Sequence, residues 1–253
     1  MFLNISIFLV VMNLNTLTAV FNYQISARVT DKVSDFTYLI SKTLSIPLDR
    51  IKLELVNISN PYVACGYLFF LEKKAFAREV ANFYLGMEDG LFLDYSTLSN
   101  ATYGIAFGIN SVNDLGFPIK IYYDVNAVGL PTIQLKNASY NVRKRPWYIQ
   151  SKSLKKQFWT SPYIDAASGN PVISLVYPIV NYSLHGNFLS YAGSVCADVY
   201  LTAISSYLVQ SYKDTNQDVF IVDESTLNIL GNSFGAMTYA QDPSNPNNKV
   251  ICH

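Results

Sequence analysis

With 253 residues, half of them hydrophobic and 14% charged, the chain can bury a sizeable core as one large domain or two small ones. So little charge excludes a disordered chain, and 19 Tyr with 15 Phe favour strands. Basic and acidic residues balance at 18 each, which excludes a global field that recruits nucleic acid or an anionic membrane.

Cys65, Cys196 and Cys252 are too few and too irregularly spaced for a disulfide framework or a zinc site. With only His185 and His253, neither a histidine metal site nor a histidine-assisted nucleophile is supported. No cofactor-binding pattern is present, and Cys196, inside an apolar run, reads as a buried inert thiol.

Residues 1–19 are apolar from Ile5 to Met12 and then broken by Asn13, Asn15 and Thr16. That run is shorter than the roughly 20 apolar residues a membrane span needs. A signal peptide cut near Ala19 fits better, although a positively charged start is missing; a weak signal-anchor is the alternative. Acceptor triplets at Asn57, Asn100, Asn137 and Asn181 suit a glycosylated, extracellular protein that enters the secretory pathway.

From Phe21 to Leu44, apolar residues at Ile25, Val29, Val33, Phe36 and Ile40 keep spacings of three and four. This stripe predicts a long helix, assigned to 20–46 and ended by Pro47. A second helix is expected over 72–81, then a β-hairpin over 82–95 turning at Glu88-Asp-Gly90. Residues 119–125 read as a strand with its exit at 128–131, and 147–157 as helical. Strands over 171–180 and 190–199 join through a polar turn at 185–187, and a helix follows at 201–212. A final hairpin is expected at 218–223 and 226–230, and 241–248, rich in Pro and Asn, reads as loop. The expected class is α+β, with helices packed on an antiparallel sheet.

Chemistry concentrates in Tyr140-Asn-Val-Arg-Lys-Arg-Pro-Trp-Tyr148, in Trp159-Thr-Ser-Pro-Tyr-Ile-Asp165, and in Asp198, which interrupts an apolar strand. A guanidinium binds a carboxylate through two parallel charge-assisted bonds, and tyrosines with carboxylates suit an ammonium. Together they can hold a small zwitterion at both ends. Each residue also has a structural explanation. Trp147 and Tyr148 can anchor a helix start, and Arg143, Lys144, Arg145, Lys152, Lys155 and Lys156 can form a solvated basic face or a phosphate patch. Tyr163 can fill a packing corner, and Asp198 can be salt-bridged to Arg145, since an orphaned buried charge costs several kcal/mol.

These two segments, with Ala192-Gly-Ser-Val-Cys-Ala-Asp-Val-Tyr-Leu201, resemble the double Cache domain, the extracellular sensor of many chemoreceptors, receptor kinases and cyclases. A related module occurs in the α2δ subunits of voltage-gated calcium channels. The resemblance spans roughly 21–235 and is strongest over 140–201. It implies a long N-terminal helix, a PAS-like membrane-distal ligand-binding module over 47–205, and the start of a second, truncated membrane-proximal module over 206–253. Tyr140, Arg145, Trp147, Tyr148, Tyr163, Asp165 and Asp198 stand at the spacing of the family's amino-acid-binding subset. The resemblance places Arg145 and Trp147 on the ligand carboxylate with Tyr140 beside them. It places Tyr148, Tyr163, Asp165 and Asp198 around the ammonium. Cys196 stands where an aliphatic is usual.

The function implied is a non-enzymatic sensor on the outer face of a membrane that binds an amino acid or related amine and transmits a conformational signal. Membrane anchoring would come from segments outside this chain, and the long helix suits a homodimer. A structural or interaction ectodomain of the channel-subunit kind is the alternative. A glycosidase-like pair of Asp165 and Asp198 fits poorly, because the basic cluster would hold both carboxylates ionised when one must stay protonated.

Overall fold

The computed structural model describes residues 19–52, 67–76, 79–182, 188–213, 218–223, 229–234, 239–242 and 245–251. Cys65, Cys252, Asn57, residues 1–18 of the expected 1–19 leader and the expected turn at 185–187 lie outside them.

A nine-stranded antiparallel sheet organises the chain. Its strands are β1 (Val80–Met87), β2 (Phe92–Thr97), β3 (Ile105–Val112), β4 (Pro118–Val125), β5 (Pro131–Ser139), β6 (Phe158–Trp159), β7 (Tyr163–Ile164), β8 (Pro171–Tyr182) and β9 (Phe188–Tyr200). The order is β5-β4-β3-β2-β1-β9-β8-β6, with β7 also on β8. The helices are α1 (Ala19–Lys52), α2 (Tyr67–Ala75), α3 (Pro146–Leu154) and α4 (Leu201–Tyr212). The fold is α+β, a large antiparallel sheet with a few helices. Among the described residues no helix is long and apolar enough to cross a membrane.

Strand parity divides the sheet into two chemically distinct faces. In β1, Phe83 and Leu85 point into the larger core, with Leu93, Phe107, Leu175, Val195 and Ala197. That face is covered by α2 and by the C-terminal half of α1, whose Ile40, Leu44 and Leu48 are buried. The alternate residues Asn82, Tyr84 and Gly86 project to the opposite face, which α3 covers. There the register lines up Ser174, Asp198, Asn82 and Ser96 across β8, β9, β1 and β2. One step along, Cys196, Tyr84, Asp94, Gly108 and Tyr122 form a second row across β9, β1, β2, β3 and β4. Polar side chains that look scattered in sequence thus become neighbours.

Several expectations need correction. The second helix ends at Ala75, and β1 begins at Val80, because Val80 and Ala81 continue a fully buried strand. Helix α1 runs through Pro47 to Lys52. A proline inside a helix loses one backbone bond, but Leu44 and Leu48 on either side are both in the core, and that burial opposes a break. Strands β3 and β5 had no sequence expectation. Helix α4 follows directly from β9. Its Leu201 and Leu208 share one core cluster with Ile221 of β10 (Phe220–Val222) and Leu230 of β11 (Ile229–Asn232). The tail read as loop pairs instead as β12 (Tyr239–Asp242) and β13 (Asn245–Ile251), with an irregularity at Gln241/Asp242. Backbone pairing there overrides the Pro/Asn composition.

Gly86 sets how closely α3 approaches the sheet. A Cβ there would lie 2.5 Å from Cη2 of Trp147 and 2.8 Å from Cγ2 of Val142. Gly86→Ala should therefore lower stability by about 1–3 kcal/mol through overpacking. Chemical denaturation at unchanged m-value would read this, and an unchanged midpoint would show that the contact relaxes freely.

Candidate functional site

Between α3 and the polar face of the sheet lies a cleft enclosing about 270 Å³ of atom-free space, open mouth included. Tyr140, Arg145, Trp147, Tyr163, Asp165 and Asp198 all line it. Tyr148 does not. Consecutive helix residues point about 100° apart, so α3 cannot turn both Trp147 and Tyr148 to one wall. Trp147 faces the cleft and meets Tyr84 edge-on at 4.9 Å. Tyr148 packs between Trp147 and Tyr191, and its hydroxyl donates to Oε2 of Glu88 at 2.6 Å.

Asp198 is 3% exposed, at the centre of the polar row. Its Oδ1 accepts from the Tyr84 hydroxyl at 2.7 Å and Ser174 Oγ at 2.5 Å, with the Tyr163 hydroxyl at 3.0 Å. Its Oδ2 accepts from Nδ2 of Asn82 at 2.9 Å. The same Asn82 nitrogen donates to Oδ1 of Asp165 at 3.0 Å, so one amide bridges two carboxylates. Asp165 is held from its other side by the turn that follows it, where Ser168 donates from both N and Oγ to Oδ2 at 2.7 Å.

Among the described residues every donor to these two aspartates is neutral, and the ion pairs include neither of them. Burial, with Asp165 as a like charge beside it, pushes Asp198 up to about 6 against the pull of its hydrogen bonds. Burial and the neighbouring Asp198 push the Tyr84 and Tyr163 hydroxyls well above their ordinary range, so both stay donors. Burial, then Asp198, likewise raises the Cys196 thiol. Cys196 is free, fully buried and packed in the aromatic cluster under α3, an unreactive setting.

Arg145 stands at the N-terminal cap of α3, just before Pro146, and makes no side-chain capping bond. Its guanidinium lies 5.3 Å from the centre of the Tyr140 ring, and its Nε is buried without a hydrogen-bond partner. The salt bridge from Arg145 to Asp198 is therefore not formed. A buried unpaired donor costs about 1–3 kcal/mol and is best relieved by an anionic acceptor.

Sequence reasoning passed over Asn82, Tyr84, Phe92, Asp94 and Lys120, which complete the wall. Asp94 and Lys120 form a buried ion pair across β2 and β4, and Ser96 also donates to Asp94. Burial alone would lower Lys120, but Asp94 beside it more than offsets this and holds the ammonium above its ordinary value. The rings of Phe92, Tyr122 and Tyr140 surround that ammonium at 4.9, 4.4 and 5.3 Å. Gly108 makes room for the pair, since a Cβ there would collide with Oδ1 of Asp94. The signal was available, because a charge interrupts an apolar strand at both positions, as it does at Asp198.

The chain matches no protein-family model and no curated protein. Among solved structures it is similar to the ligand-binding domain of the Campylobacter jejuni chemoreceptor Tlp3 in complex with L-valine, at 14% identity and a TM-score of 0.52, covering 81% of this chain and 66% of that one. The same domain with 4-methylisoleucine matches at 15% identity and 0.52, over 88% of this chain and 75% of that one. Its complex with isoleucine matches at 15% and 0.50, over 81% and 66%. The chain thus spans two thirds to three quarters of those domains' length. The likeness is one of fold: this chain shares the architecture of that chemoreceptor's ligand-binding domain.

Proposed function

We propose that this chain is the extracellular ligand-binding part of a membrane receptor. It binds a free amino acid or related amine and converts occupancy into a conformational signal. The observation that carries this reading is the separation of charge in one cleft. Two carboxylates, Asp165 and Asp198, sit together with neutral donors only, and Arg145 sits elsewhere in the wall with an unpaired Nε. An ammonium would supply the missing countercharge, and a carboxylate would supply the missing acceptor. A single zwitterion satisfies both. In this reading Trp147 and Tyr140 flank the carboxylate, and Tyr84, Tyr163 and Asn82 orient Asp198 toward the ammonium. Tyr148 acts by packing behind Trp147. With a few kcal/mol from each end, micromolar affinity (about −8 kcal/mol) is within reach.

The likeness in fold to chemoreceptor sensory domains supports the sensor role. Occupancy would shift a conformational equilibrium carried by α1, whose C-terminal half packs on β8 and β9, and by α4, which continues directly from β9. The proposed organisation keeps a leader at 1–19, a membrane-distal module over 47–205 and the start of a proximal one from 206.

Calorimetry or thermal shift against the standard amino acids should find at least one binder, and Arg145→Ala and Asp198→Ala should each abolish its effect. A folded protein indifferent to every amino acid and amine would refute the assignment.

The ammonium site also implies a pH dependence. Asp198 holds its proton up to about pH 6 in the fold, against an ordinary value of 3.8, so its contribution favours the fold below pH 4 and is lost as pH rises through 6. An ammonium ligand needs the ionised form. Affinity should therefore fall by up to about tenfold per pH unit below 6 and level off above it. Ligand-induced stabilisation should be larger at pH 7 than at pH 5; a flat profile would remove Asp198 from the ammonium site.

A further inference from the structure

We propose that the Asp94–Lys120 pair reads the ligand's side chain, and that this cleft selects a small amino acid whose side chain ends in a hydroxyl or amide donor over one with a branched aliphatic. This rests on the amino-acid reading above and goes further by naming the side-chain class.

Asp94 is 1% exposed, and its two oxygens differ. Oδ2 takes both Lys120 and Ser96, whereas Oδ1 is buried with no hydrogen-bond partner. That oxygen lies on the cleft face, over the backbone of Gly108, in space that a side chain would otherwise fill. The pair is also close to both ends of the proposed zwitterion. The Tyr140 ring has Arg145 and Lys120 each 5.3 Å from its centre, so one ring separates the carboxylate anchor from the pair. On the sheet, Asp94 sits directly across from Tyr84, whose hydroxyl holds Asp198. A ligand gripped at Arg145 and Asp198 therefore has this pair as a flank of its side-chain compartment.

Oδ1 of Asp94 is already shielded from water, and an aliphatic side chain entering that compartment would leave it unpaired. A buried carboxylate oxygen sealed against hydrocarbon is disfavoured, whereas a hydroxyl or amide hydrogen completes its bonding. A site that hydrogen-bonds a ligand group discriminates strongly against the analogue lacking it, for this reason. The charge inventory points the same way, because three carboxylates against two cations line the cleft and favour a donor over a further acceptor.

The test is a calorimetric comparison of near-isosteres on the full chain: L-threonine against L-valine, and L-asparagine against L-leucine. The expected result is tighter binding of the polar member of at least one pair by about tenfold or more. The double variant Asp94→Leu with Lys120→Met removes both charges together, so no buried charge is orphaned, and should bring that ratio to one or invert it. Valine and leucine binding as well as, or better than, threonine and asparagine would overturn the proposal while leaving the amino-acid reading intact. So would an unchanged ratio in a folded double variant. Absence of any amino-acid binding would overturn both. If the double variant fails to fold, the ratios in the native protein decide alone.

Discussion

Two buried carboxylates without a cation are the constraint around which this protein is arranged. Both are cut off from water, and for Asp198 burial and then the neighbouring Asp165 disfavour ionisation. The fold answers with oriented neutral dipoles: the Asn82 amide between them, hydroxyls from Tyr84, Tyr163 and Ser174, and the turn amide and hydroxyl of Ser168. These donors hold the oxygens in place but supply no net charge. A ligand that brings a positive charge therefore gains more here than it would at a solvated surface, because little reorganisation is left to perform.

Such a cluster needs a rigid platform, and the central strands provide it. Strand β1 is buried along its whole length, and its parity sends Phe83 and Leu85 into one core while Asn82 and Tyr84 face the cleft. Any slip of β1 against β9 by one residue would exchange the two sets, placing Phe and Leu in the cleft and Asn in the oily layer. The same register that stabilises the core thus holds the site. The opposite wall depends on α3, which meets the sheet closely only because position 86 has no side chain.

The ionised residues of the cleft divide into two kinds. Lys120 and Asp94 satisfy each other within an aromatic box, whereas among the described residues Arg145 and the Asp165/Asp198 pair have no partner of opposite charge. A paired charge can be structural. Opposite charges kept apart across a shared space are expensive for the fold alone, and a bound molecule that bridges them relieves that cost.

Much of this arrangement is legible in the order of residues. Spacing within 140–165 marks Arg145, Trp147, Tyr163 and Asp165, and a carboxylate in an apolar strand marks Asp198. Period and composition also indicate the β1–β2 hairpin, β4, β8, β9 and α4, because each carries its own local pattern. Strands β3 and β5 escape: the first contains a glycine needed for cross-sheet room, and the second is a largely exposed edge without alternation. What the amino-acid sequence determined alone is which side chains have the chemistry to hold a zwitterion. Which of them share a wall was decided by tertiary structure, since strand register brings Asn82, Asp94 and Lys120 into the cleft and helix rotation takes Tyr148 out of it. Neither register across a sheet nor the facing of a helix is a local property, and both are settled by which packing buries the most apolar surface.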